Sequence, residues 1–289
     1  MTEQSTGFDH LDRPGRLAAQ AALNTRVVVY TTVAAAVLLS WVSLALLSIG
    51  AAQTSLPAEG GPGDWLLRLM PALPLPDWAA RFVSLCVTPA GFGAESFLLL
   101  WAMWALMSVA MMLPSASPMI RIYCEIADTA RAKHEPVVHP LVLVAGYLAV
   151  WLAAAAVFAA ISLAARNGTG SFTAFAAPAA LAVAGLYQFS ALKEACLKKC
   201  RNPFAILFAR WSDKPSRILR LGAEQGVWCL GCCWALMLIM FAVGVMNIFW
   251  MALIGLFTIV EKQLQGRLPS RIAGTLLLVW AAALLVASF

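Results

Sequence analysis

Charged residues are scarce in this sequence. Asp, Glu, Lys and Arg supply 12% of the 289 residues while 62% are hydrophobic, and the mean hydropathy is +0.81. A water-soluble fold, which carries about a quarter charged residues, is therefore excluded. The polar–apolar alternation of a membrane barrel is missing too, as is any internal repeat, so neither a barrel nor a transporter built from inverted halves is supported. There is no Gly-rich phosphate loop, no serine nucleophile elbow and no zinc-protease histidine pair, which removes nucleotide-driven pumps and hydrolases. Histidine is limited to His10, His134 and His139.

What is abundant is uncharged apolar sequence. Several runs reach the roughly 18 to 25 residues that a helix needs to cross about 30 Å of hydrocarbon, and lipid leaves helices as the only way to satisfy their backbones. The expected fold is an all-α polytopic transmembrane helix bundle of about six spans: Val27 to Ile49, Ala94 to Leu113, Leu141 to Ala164, Phe172 to Leu192, Val227 to Val260 and Ile272 to Ser288. Residues 1–26 read as a cytoplasmic segment. They are polar, carry Arg13, Arg16 and Arg26, and lead into a run too long, and too poor in a small-residue cleavage site, for a secretory signal. Residues 27–289 read as one transmembrane domain.

With the N-terminus inside, 14 of the 20 Lys and Arg fall in cytoplasmic segments, as the positive-inside rule prefers, and six spans place the C-terminus there as well. The expected location is the cytoplasmic membrane, crossed several times. The net charge of +6 is then a topology signal facing the lipid bilayer, and nucleic-acid binding is not supported. The outer segment, about 50–93, is expected to hold two short interfacial helices, at Asp64 to Met70 and Asp77 to Val87. The fifth apolar segment is too long for one crossing, since 34 helical residues reach about 51 Å. It is expected to project into the cytoplasm, with the membrane part beginning near Met237.

Seven cysteines are present, and five of them, Cys196, Cys200, Cys229, Cys232 and Cys233, fall within 38 residues. On helices, Cys196 and Cys200 share one face, and so do Cys229, Cys232 and Cys233. The orientation places all five on the reducing side, which argues against disulfides. Thiolates from two such elements suit Cu(I), Zn²⁺ or an iron–sulfur cluster. The spacing does not choose four ligands among the five. Lys193, Lys198, Lys199 and Arg201 lie close by and are expected to favour thiolates.

Methionines extend the sulfur pattern. At helical spacing the fifth segment presents Cys229, Cys233, Met237, Met240, Gly244, Asn247 and Met251 as one stripe, and Met103, Met107 and Met111 share a face of the second span beside Met112. Facing stripes would offer thioethers to a soft metal, although a methionine stripe is also ordinary flexible core. Asn247, at membrane depth, needs a polar partner. Glu95 and the Glu261-Lys262 pair read as outer-interface charges, and His134 and His139 as exposed loop residues.

Several blocks together resemble a bacterial family of predicted metal-binding integral membrane proteins, a domain of unknown function. They are Ala110 to Pro114, Gly146 to Trp151, Tyr187-Gln188 with Leu192-Lys193, Cys196 to Pro203, Cys229 to Met237, Met246 to Met251, and Glu261-Lys262. The resemblance implies membrane location and a metal site mapping onto Met111, Met112, Cys196, Cys200, Cys229, Cys232, Cys233, Asn247 and Glu261. It leaves the N-terminal segment and the histidines outside.

The expected function is binding of a soft transition metal, copper first and zinc second, through the cysteines with Met107, Met111, Met112, Met237 and Met240, for metal handling or transfer. A metal donor or a partner subunit is the expected protein partner. The alternative is a membrane-bound oxidoreductase, or a subunit of one, with a cysteine-ligated redox centre.

Overall fold

A computed structural model describes residues 24–54, 93–166, 170–243 and 247–287, without the side chains of 50–54, 166, 170–175 and 287. Most of the N-terminal segment, the two expected interfacial helices, Cys86, Gly244 and Met246 lie outside the described residues. The chain runs α1 (Thr25–Thr54), α2 (Ala94–Ser115), α3 (Ser117–Ala132), α4 (Pro140–Arg166), α5 (Gly170–Gln188), α6 (Ala191–Arg201), α7 (Pro203–Ala209), α8 (Pro215–Met237), α9 (Ile239–Val243), α10 (Ile248–Gln263) and α11 (Leu268–Ala287).

No strand occurs among the described residues. Among the described residues, five helical stretches are long and apolar enough to cross a membrane: Thr25–Ile49, Ala94–Ser115, Pro140–Ala165, Pro215–Val243 and Leu268–Val286, with a shorter apolar helix at Ala176–Gln188. Leucines and valines such as Leu38, Leu39, Leu276 and Val279 stand exposed on their outer faces. That is where a bundle solvated by lipid carries its apolar side chains.

The tightest packing joins α4 to α8. A Cβ on Gly146 would stand 2.0 Å from the Leu219 carbonyl oxygen, and one on Gly222 2.0 Å from that of Leu143, so the two backbones touch. Small residues replace side-chain interdigitation here, as they do where helices associate without a hydrophobic drive from water. Contacts of Leu143 with Gly222 and of Tyr147 with Gly226 advance together along the two chains, so α4 and α8 run parallel.

The fifth expected span is not one helix, and its fold-back is the main correction to the topology. A straight helix would separate residues 229 and 262 by about 50 Å. Instead Lys262 Nζ lies 3.1 Å from Cys229 Sγ. Asn247 explains how the return begins: its backbone is extended (φ −83, ψ 102) and its side chain accepts from the Trp250 N–H at 3.3 Å, the N-cap of a new helix. From there α10 runs back alongside α2, with Gly255 against Met111 and Lys262 against Ser115.

The fourth expected span is also divided. Ser190 is extended (φ −69, ψ 143) and caps α6 by accepting from the Lys193 N–H at 3.1 Å. α6 therefore turns to lie on α8. The last helix, α11, packs antiparallel to α5, with Gly274 against Gln188 and Gly185 against Leu278. It therefore starts beside the C-terminal end of α10 and leads away from it.

Candidate metal centre

Three of the five clustered cysteines meet on a single turn of α8. The Sγ atoms of Cys229, Cys232 and Cys233 lie within 4.8 Å of one another and all three residues are buried; they are the one cysteine, histidine or carboxylate group with metal-ligand spacing among the described residues. Cys232 Sγ is 3.2 Å from Cys233 Sγ and donates to the Cys229 carbonyl at 3.1 Å. With metal–sulfur bonds of about 2.3 Å, three trigonal ligands stand about 4.0 Å apart, so the trio needs only side-chain adjustment to close on one ion.

α6 brings the other two. Cys200 Sγ lies 3.9 Å from Cys232 Sγ, and Cys200 is the least buried of the five. Cys196 is buried against Gly231, where an added Cβ would stand 2.6 Å from its sulfur. Gly231 thus lets α6 approach closely enough for both of its cysteines to reach the trio's surroundings, and its carbonyl accepts from the Tyr187 hydroxyl at 2.6 Å. Burial pushes the Cys196 thiol up, contrary to the expectation that neighbouring lysines favour its thiolate.

The cation that serves the site comes from elsewhere. Lys262 donates to Cys229 Sγ at 3.1 Å and to Ser115 Oγ at 2.7 Å, placing an ammonium directly on the thiol trio. The Tyr147 hydroxyl, also buried, is 3.0 Å from Cys229 Sγ and donates to the Met112 carbonyl at 3.0 Å. Neither Lys262 nor Tyr147 was singled out from sequence as a contributor to the site. The available signal was a lysine ending an apolar run, which at membrane depth is a functional candidate.

Lys193, by contrast, turns away from the cysteines. It pairs with Glu261 at 2.8 Å, both side chains 1% exposed, and donates to Gln188 Oε1. Ser270 donates to the same Glu261 oxygen at 2.6 Å, while Glu261 Oε2 has no hydrogen-bond partner among the described residues. Glu261 and Lys262 are thus drawn into the bundle and not placed at an outer interface.

Met237 and Met240 continue the cysteine face of α8 and α9 and are fully buried. Met107, Met111 and Met112 are fully buried as well, on α2, whose principal neighbours are α1, α4 and α10. Only the Met112 carbonyl is tied to the centre, through Tyr147. His134 and His139 are exposed; His139 Nδ1 accepts from the Leu141 N–H at 3.3 Å at the start of α4.

A buried trio of thiols with its own countercation has the chemistry of a soft-metal site, and the comparison with protein families agrees. Residues 101–284 match the PpoB2 family, described as copper chaperones. The chain belongs to that family. Membership accords with the metal-related side of the resemblance read from sequence, and the matched PpoB2 region holds all five cysteines, Tyr147, Lys193, Glu261 and Lys262. Comparison with curated proteins and with solved structures gives no match.

Proposed function

We propose that the protein is a membrane-embedded copper chaperone that holds one Cu(I) on Cys229, Cys232 and Cys233 and exchanges it through Cys200. The observation that carries this reading is the buried thiol trio with Lys262 at 3.1 Å. Thiolates select Cu(I) by softness, and three of them around a monovalent ion leave a net charge of −2 that an apolar surrounding does not tolerate alone. The Lys262 ammonium offsets part of it. Cys200, half-buried and 3.9 Å from Cys232, is the route by which a donor or recipient thiolate reaches the trio. Cu(I) moves by forming a bond to the incoming sulfur before releasing the outgoing one, so its oxidation state is unchanged. Met237 and Met240 extend the sulfur face of α8 and α9 with softer thioethers, and Met107, Met111 and Met112 are buried on α2 as a further thioether reserve.

The five long apolar helices support a multi-pass location, for which we propose the bacterial cytoplasmic membrane, with the thiol end facing the cytoplasm. The fold-back strengthens this orientation, because Lys262, Arg267 and Arg271 join Arg201 and the other basic residues at that end. On this reading α11 leads away from the thiol end, to the side opposite α1's start.

The test is Cu(I) titration of detergent-purified protein against a colorimetric Cu(I) chelator. One tightly held Cu(I), colourless and lost in a Cys229→Ser, Cys232→Ser, Cys233→Ser triple variant, is expected. Retention of copper by that variant, or a reducible visible absorption in the wild type, overturns the reading, the latter in favour of a redox centre.

A further inference from the structure

A second polar site lies on the other side of the Lys193–Glu261 pair from the thiols. It is a cavity of about 90 Å³ where the end of α5, the first turn of α6, the loop after α10 and the start of α11 converge. Four cations line it, Lys193, Arg201, Arg267 and Arg271, against the single carboxylate of Glu194. Three are already held: Lys193 by Glu261, Arg201 by the carbonyls of Glu261 and Gly266, and Arg267 by Glu194. The fourth, Arg271, has no side-chain partner among the described residues and is exposed.

Gln188 supplies an independent sign of a missing acceptor. The residue is only 4% exposed and lines the cavity; its Oε1 is used by Lys193, while its Nε2 donor has no partner among the described residues. A buried N–H left unmet is costly, so a donor in this state marks a place for an acceptor to bind. The α6 N-terminus at the cavity edge adds the positive end of its dipole. The excess of cations over the one carboxylate, the unmet Gln188 donor and the helix N-terminus together call for an anion.

The surroundings say which anion. Phe189 in the lining, and Leu186, Leu192, Leu268 and Ile272 within a few residues of the lining in the chain, are exposed apolar side chains. A free anion has no use for them, whereas acyl chains do. We propose that this cavity binds the phosphate of an anionic phospholipid headgroup, with the acyl chains lying along α5 and α11. The site rests on the membrane reading and is independent of copper.

The full-length protein, purified in detergent, would be examined by native mass spectrometry and thermal melting with phosphatidylglycerol, phosphatidylcholine or inorganic phosphate. Retention of a single phosphatidylglycerol with a saturable rise in Tm, absent with phosphatidylcholine, is expected. Arg271→Gln should weaken it about fivefold, the weight of one cation near an anionic surface, and Gln188→Met further, while Arg217→Gln, which removes equal charge elsewhere, should not. Saturable binding of inorganic phosphate without the lipid, equal retention of both lipids, or no effect of Arg271→Gln overturns the proposal. Cu(I) stoichiometry measured on the same samples separates its failure from failure of the copper reading.

Discussion

Lys262 Nζ sits 3.1 Å from Cys229 Sγ across 33 residues of chain. That contact defines both the topology, because it requires α10 to run back along α2 to the level of Cys229, and the electrostatics of the thiol site. Lys262→Met is expected to weaken Cu(I) binding at least about tenfold, since a hydrogen bond to a charged group contributes about 1.5–3 kcal/mol. Lys262→Arg should recover most of it. Chelator competition on the three proteins checks the order.

Serine at Cys229, Cys232 or Cys233 should each take copper content from about one ion per chain to near zero, because a hard hydroxyl does not replace a soft thiolate. Cys200→Ser should leave the content intact and slow loading from Cu(I)–glutathione by roughly an order of magnitude, since exchange depends on thiol access. Elemental analysis and stopped-flow loading separate the two roles.

Met237→Leu combined with Met240→Leu conserves volume, so stability should change by less than about 1.5 kcal/mol. Copper content should stay at one ion if the trio alone is the resting site. Loss of copper would instead make these thioethers primary ligands.

Glu261→Gln strands a buried ammonium, and a loss of about 3–5 kcal/mol is expected from removing one member of such a pair. Replacing both partners, as Lys193→Met with Glu261→Leu, should restore much of it. Melting in detergent, with copper content as the second readout, checks that the pair positions α10 without binding the metal.

Gly222→Val places a Cβ 2.0 Å from the Leu143 carbonyl, where backbone meets it and no side chain is free to yield. An overpacking loss of at least about 1–3 kcal/mol is expected, and α4 and α8 should separate. A fall in Tm together with lost copper, through displacement of Tyr147 from Cys229, is the signature.

The early spans were readable because hydropathy and length suffice for helices that cross once: α1, α2 and α4 begin and end within a few residues of where the apolar runs do. The five cysteines were readable too, since helical spacing alone puts Cys229, Cys232 and Cys233 on one face. The return of α10 was not. A crossing followed by a fold-back and one overlong helix have the same apolar composition, and what distinguishes them is the cap at Asn247. Its polar side chain registered as an atom needing a partner, and its partner proved to be the backbone of its own helix. With that turn missed, Lys262 fell at the wrong end, and the thiol site was assigned the nearby lysines of α6. Ser190 misled in the same way, a cap hidden inside a run that reads as continuous.

The hairpin also has a meaning in time. A chain emerging at roughly 5–20 residues per second would expose Cys229 for about 2–7 s before Lys262 is made, given the 33 residues between them. During synthesis the thiols therefore exist first as an open, uncompensated cluster on a helix packed only against earlier ones. The return helix arrives afterwards and seals it.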